Sequence, residues 1–397
     1  MPNRRGRYRE GNKQQKQMGK IFYGSLLCFA LFEVLNVYFI MPMPGISQEI
    51  NSLDFAYFLY TWRWIFRAVF LVLIVLGFRH AFRSSAWVPV ISLLAVLALV
   101  YVINFNMAAE RMFLQPGLLK MKSVDQNSVG KEKLVIGISL DGEARAYPIQ
   151  FIGYHHQVRD SIAGKPVMVT YCTVCRTGRV FEPLVEGKPE TFRLVGMDHY
   201  NAMFEDRSTG SWWRQVTGEA VTGKLKGKRL PEYPSMQTTL EKWIALHPNT
   251  LVMQADPAFQ ASYDTLGTYE KGKLTGRLTR RDTASWQGKS WVIGVETGFA
   301  SKAFDWNRLQ KEKLIHDEVG DKPVLVALAE DNASFIVLER IKREQVFRIE
   351  NDTLISDFGR YSFSGRAIDS GWQDLNRLKG YQEYWHSWRS FHPATKR

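Results

Sequence analysis

Cysteine is scarce in this chain, with three among 397 residues. Cys28 lies in an apolar run near the N-terminus, and the other two form the pair Cys172-Thr-Val-Cys175. A metal site made of thiolates alone is thereby excluded, because two sulfurs leave a tetrahedron incomplete and Cys28 belongs to a membrane span. Long apolar runs are absent after Phe105, so residues 107–397 read as an ordinary soluble globule. No small-residue cleavage site follows the first apolar run, and further runs succeed it, which excludes a secretory signal. A concentrated basic face is also missing. The formal charge of +13 divides into about +7 before residue 107 and about +6 spread over the rest, which excludes nucleic acid as a partner.

Three runs approach the roughly 20 residues that cross a bilayer core as helix: residues 21–40, 56–78 and 87–105. Glu33 interrupts the first, and Arg63 and Arg67 the second. A helix–helix contact is the expected use of Glu33 and Arg67, while Arg63, near a helix end, can snorkel to the headgroups. Lys and Arg are absent from the loop "MPMPGISQEINSLDF", whereas seven lie in the first twenty residues and Arg79 and Arg83 in the next loop. The positive-inside rule therefore puts the N-terminus in the cytoplasm and everything after Phe105 outside. The expected location is the bacterial inner membrane, with the large C-terminal region periplasmic or extracellular and the lipid bilayer as a partner.

The soluble region is written twice. A gapless shift of 157 lays Val135–Val169 over Val292–Val326 with nine of 35 positions identical. Downstream, "TGEA" faces "SGRA" and "WIALHP" faces "WRSFHP". Asp141-Gly142 signals a primed hairpin turn, Gly187 another turn, and "TTLEKWIALHP" a short helix opened by a Thr cap and closed before Pro248. The expected fold is α+β: a β-rich, duplicated extracytoplasmic domain of two tandem antiparallel-sheet modules behind three transmembrane helices. The expected segments are a basic tail (1–20), the membrane region (21–105), a first module with the thiol pair (106–270) and a second, degenerate module (271–397).

The duplication acts as an internal control. Cys172 faces Ala329, Cys175 faces Asn332 and His155 faces Glu312, so the second copy keeps the scaffold without the thiols. Asp160 faces Asp317, and His247 faces His392, which points to structural roles for these. Three uses of the pair stay open. As a redox couple, one thiol attacks a disulfide and the other resolves it. The run after Gly178 is strand-like, so no helix dipole assists, and Arg176 or Arg179 would supply positive charge. As a metal knuckle for zinc or copper, the sulfurs need His155, His156 or His199, with Met197 and Met203 as soft donors. As an inert disulfide in a noncatalytic interaction domain, so short a loop would stabilise little.

In "GEARAYP" (Gly142 to Pro148), His155 followed by "VRD", "PVMVTYCTVC" (Pro166 to Cys175) and "TGSWWRQVTGEA" (Thr209 to Ala220), the chain resembles a bacterial family labelled domain of unknown function 3179, over roughly residues 115–395. Some members are named as selenoproteins. Because selenium in place of sulfur usually serves redox chemistry, the resemblance implies redox rather than an inert bridge. The family often has proline and a small aliphatic residue between its cysteines, glycine after them, and a His-Glu pair. Here these positions hold Thr173, Val174, Arg176 and His155-His156. The sequence thus points to a redox-active pair, Cys172 and Cys175, assisted by His155, with Arg176 favouring thiolate and Trp213 and Gln215 shaping the site. Its partner would be an unidentified thiol, disulfide or metal species in the periplasm. The sequence makes no cofactor certain, copper and zinc being the candidates, and whether turnover accompanies the thiols stays open.

Overall fold

A computed structural model describes residues 4–397, with side chains described from Gln17 onward except Ser84. The basic side chains of residues 4–16, assigned to the cytoplasm above, lie outside the described side chains; their backbone is helical. Two compact units are present. The first comprises residues 1–112 with the short segments 194–199 and 222–224, and the second holds the remainder.

In the first unit, helices Arg4–Tyr38, Leu53–Ser84 and Trp87–Tyr101 contain the apolar runs, and all three are long and apolar enough to cross a membrane. Phe22, Leu26, Ile74 and Ala81 pack between the first two. Gly77 permits the approach, since a Cβ there would stand 2.7 Å from the backbone nitrogen of Phe22. Apolar side chains facing lipid gain nothing by clustering, so polar groups and close packing hold such helices together. Arg67 makes a two-pronged ion pair with Glu33 (2.7 and 2.8 Å) and also donates to Asn104 Oδ1 (2.8 Å), whose amide returns to Glu33 Oε2 (2.9 Å). Glu33 is fully buried. Two of the three charges that interrupt the apolar runs, Glu33 and Arg67, are thus a clasp joining all three helices.

In the second unit, the duplication is visible element by element. Strand Leu134–Leu140, strand Glu143–Pro148, helix Ile149–His155 and strand Gln157–Ile162 recur at Trp291–Thr297, Ala300–Asp305, Trp306–Glu312 and Leu314–Val319, each displaced by 157. The Asp141-Gly142 turn takes the left-handed backbone at both residues (φ 48 and 87), as a primed two-residue hairpin requires. Glu186-Gly187 does the same between Val185 and Lys188. Thr239 caps helix Leu240–Leu246 by accepting from Lys242 N–H, and the matching helix in the second repeat is Trp385–Phe391. Gly137 and Gly294 exist for one reason, because each strand passes flat against an indole, Trp243 or Trp388. Each indole N–H is tied to a threonine, Thr250 (2.9 Å) or Thr395 (2.8 Å), and carries a histidine ring, His247 or His392, on its face.

A common core runs through both repeats, with Val135, Leu240 and Trp243 of the first against Leu325, Leu338 and Phe347 of the second. The sheets are small and mostly antiparallel; one parallel pairing joins Leu251–Met253 to Glu143–Pro148. The α+β, β-rich expectation therefore holds.

Candidate functional site: a buried dithiol turn

Strand Lys165–Cys172 ends on the first cysteine and strand Thr177–Phe181 returns antiparallel to it, with Cys172 opposite Thr177. Residues 173–176 form the connecting turn and carry Cys175. Closing so short a turn requires a left-handed residue, and Arg176 takes that role at φ 57, a conformation that costs glycine little and other residues more. Gln215 braces the base of the turn, donating to Thr170 Oγ1 (3.0 Å) and Thr177 O (3.1 Å) while its own oxygen accepts from Asn201 (3.0 Å). Gly178 is followed by strand rather than helix.

Both cysteines are fully buried and unbridged. The carbonyl of Tyr200 lies 3.6 Å from Cys172 Sγ and 3.3 Å from Cys175 Sγ. Burial pushes the Cys172 thiol up, but hydrogen bonds from the Cys175 thiol and from the backbone N–H groups of Ala202, Cys175 and Val174 outweigh it, leaving the pKa below the usual 9.0. Cys175 goes well above that value, through burial, its hydrogen bond to Cys172 and the charge that develops there. One environment thus separates the two thiols into a group readily ionised and a group held protonated.

The second repeat builds the other wall. Tyr384 N–H donates to Cys175 O (2.9 Å). Glu383, fully buried, accepts from Thr177 Oγ1 (3.0 Å) and Arg179 (2.6 Å). Ser387 donates to Glu383 Oε2 (2.9 Å) and lies within hydrogen-bond range of Cys175. Lys289 reaches the carbonyls of Val174 and Leu278 (both 2.6 Å), with His386 Nε2 3.1 Å away. Burial lowers the Lys289 pKa to about 8, against the pull of Cys175 and Cys172. Burial and the charge of Lys289 bring His386 to about 3, so it stays neutral.

The other sequence candidates sit elsewhere. His155 turns both ring nitrogens away, one to Leu114 O and the other to the Tyr263 hydroxyl (2.7 Å). His156 Nδ1 engages Tyr171 O (2.9 Å). His199 pairs with Asp198 (2.6 Å) in the membrane-helix unit, which also holds Met197. Met203 is buried in strand Asn201–Asp206. Trp213 donates to Asp206 (2.8 Å) and packs on Phe192. Arg176, expected to favour thiolate, lays its guanidinium over Trp291 (3.7 Å) and donates to Gln382 Oε1 (2.9 Å) and Glu270 O (3.1 Å). Lys289 is the cation whose charge acts on both sulfurs. Among the described residues, no three His, Cys, Asp or Glu side chains are grouped as a metal ion would need.

The site residues missed from sequence had a signal in the repeat. His386-Ser387 stand where the first copy has Glu241-Lys242, and Lys289 stands where it has Glu132. These are changes of polar type of the sort that singled out the thiols, but in the copy expected to be only scaffold.

Fold and site together define a class: a protein with three N-terminal helices long and apolar enough to span a membrane and a duplicated α+β domain in which one repeat carries a dithiol turn and the other encloses it. The chain belongs to the family described as protein of unknown function DUF3179, whose model matches residues 116–395. No curated protein and no solved structure matches it.

Proposed function

We propose that this is a membrane-anchored, extracytoplasmic thiol–disulfide protein whose redox couple is Cys172 and Cys175. The observation that carries the reading is the pair itself, two unbridged cysteines on one turn with both Sγ atoms against the Tyr200 carbonyl (3.6 and 3.3 Å), in surroundings that favour thiolate at Cys172 and thiol at Cys175.

Cys172 thiolate attacks one sulfur of a substrate disulfide, the S–S bond breaks, and the other substrate sulfur leaves as a thiolate that takes up a proton. Cys175 then loses its proton and attacks Cys172 Sγ, releasing the second substrate thiolate and forming the Cys172–Cys175 disulfide. Two electrons pass from protein to substrate, and an external dithiol restores the starting state; the reverse sequence oxidises a substrate dithiol. Lys289, as an ammonium donating to Val174 O and Leu278 O, stabilises the developing thiolates, and the Cys175 proton passes to the departing substrate thiolate. Both sulfurs are sealed from solvent, so exchange proceeds through local opening of the cover.

The test is redox equilibration of the purified full chain in detergent, across thiol–disulfide buffers, with free thiols counted by mass after alkylation. The expected result is one two-electron transition confined to Cys172 and Cys175, and a mixed disulfide trapped on Cys172 in Cys175→Ala. Failure to form the bridge at any poise would sink the reading.

A further inference from the structure

The molecule contains a second built feature apart from the thiols, a cavity of about 380 Å³ between the two repeats, lined by Arg176, Arg281, Trp291 and Trp306 among others. Two guanidinium groups share one indole, with Arg176 3.7 Å and Arg281 4.0 Å from the Trp291 ring. Among the described residues neither arginine makes an ion pair. Arg176 donates to neutral acceptors, Gln382 Oε1 and the carbonyls of Glu270 and Tyr269, and Arg281 to Asn307 Oδ1.

Four carboxylates line the cavity too, Glu132, Glu241, Glu270 and Asp331, and the last two are engaged in part by neighbouring donors. Glu270 accepts from Leu134 N–H (3.1 Å), and Asp331 from Ala333 N–H, Ser334 N–H and Thr239 Oγ1. Three buried donors of the lining remain without a partner among the described residues, Arg281 Nε and the indole Nε1 of Trp291 and of Trp306, the last side chain only 1 % exposed, against one unpartnered acceptor, Glu270 Oε1. Unpaired buried cations and unpaired N–H donors are costly unless an acceptor completes them. Arginine with a fixed fork of N–H groups matches an oxyanion, and the volume suits a small molecule.

We propose that this cavity is a binding site for a small organic oxyanion, a carboxylate or a phosphate ester, received by Arg281 and Trp306 with the charge of Arg176 behind them. This assignment stands independently of the redox reading, because no cysteine lines the cavity.

Isothermal titration of the full chain in detergent with succinate, and separately with glycerol 3-phosphate, tests it. Saturable binding of either is expected, and the probe that binds identifies carboxylate or phosphate as the anion recognised. Arg281→Gln should weaken that binding at least tenfold. Trp306→Phe, which removes the indole N–H together with its five-membered ring, should weaken it several-fold while a cooperative thermal transition is retained at a lowered midpoint, so that loss of fold and loss of site are distinguished. Absence of saturable binding with both probes, or equal affinity in wild type and Trp306→Phe, overturns the proposal.

Discussion

His156 shows how one side chain links burial to the stability of the domain. Its ring is fully enclosed, 4.5 Å from the Phe113 ring, with Nδ1 on the Tyr171 carbonyl. Burial lowers its pKa from 6.5 to about 4, opposed by that hydrogen bond. Between those values the unfolded chain binds a proton that the folded chain refuses, so stability rises with pH across the window. Acidification from above pH 6.5 to pH 4 should therefore cost about 3 kcal/mol through this group, levelling off once the folded imidazole also titrates. His386, at about 3, acts in the same direction. Denaturant unfolding at stepped pH checks this: His156→Asn, with a residue that tolerates the left-handed backbone at φ 60, should flatten the slope between pH 6.5 and 4. At the dithiol, alkylation of the reduced chain should favour Cys172 over Cys175, with a pH midpoint below the ordinary 9.0. Equal labelling of the two would remove the asymmetry on which the redox reading stands.

At the scale of elements, the repeat makes matched demands that can be measured in pairs. A Cβ on Gly137 would fall 2.3 Å from the Trp243 ring, and one on Gly294 2.1 Å from Trp388. Gly137→Ala and Gly294→Ala must each displace a tethered indole or bend a strand, at a cost of about 1–3 kcal/mol. Similar losses in denaturant midpoint for the two would show that the duplicated contact does the same work twice. In the membrane helices, Glu33→Gln keeps the shape but leaves Arg67 without its counter-charge, and should lower the thermal midpoint in detergent by the equivalent of about 1–2 kcal/mol. These elements were legible in the sequence because their signals are local: Asp-Gly for the turn, a Thr cap for the helix, and apolar length for the spans. Lys289, Glu383 and His386 were not, since their meaning lies in what a distant segment brings to them. Arg176 shows the same limit from the other side. Adjacency to Cys175 suggested a charge on the thiol, but its left-handed backbone at the end of the turn sends the side chain to Trp291 instead.

Across the whole duplicated domain, each repeat closes the other's turn. In the second repeat, residues 330–333 occupy the place of the dithiol turn, with Ser334 in the place of Thr177, and there Thr238 donates to Ser334 Oγ (2.8 Å) and Thr239 to Asp331 (2.9 Å). In the first repeat the equivalent contacts come from Glu383 and Tyr384, the counterparts of Thr238 and Thr239 at a shift of 145. One copy keeps neutral hydroxyls at this junction. The other has replaced them with a buried carboxylate facing Arg179 and with a wall around two thiols. Breaking that buried pair with Glu383→Gln should cost about 3 kcal/mol, because the buried guanidinium would keep only its longer pairing with Glu232 at 3.9 Å. Reciprocal closure also means that, beside the core each repeat has of its own, a shared cluster is complete only when both are present, since it draws Trp243 from one and Leu338 and Phe347 from the other. A chain ending at residue 270 would lose Lys289, Glu383, His386 and half of that cluster together. It should lack a cooperative unfolding transition and expose both cysteines to rapid alkylation, as measured by calorimetry and mass-resolved labelling. A truncated chain that still unfolded cooperatively with Cys175 protected would show that the first repeat is self-sufficient, and the second repeat's place at the thiols would then be incidental.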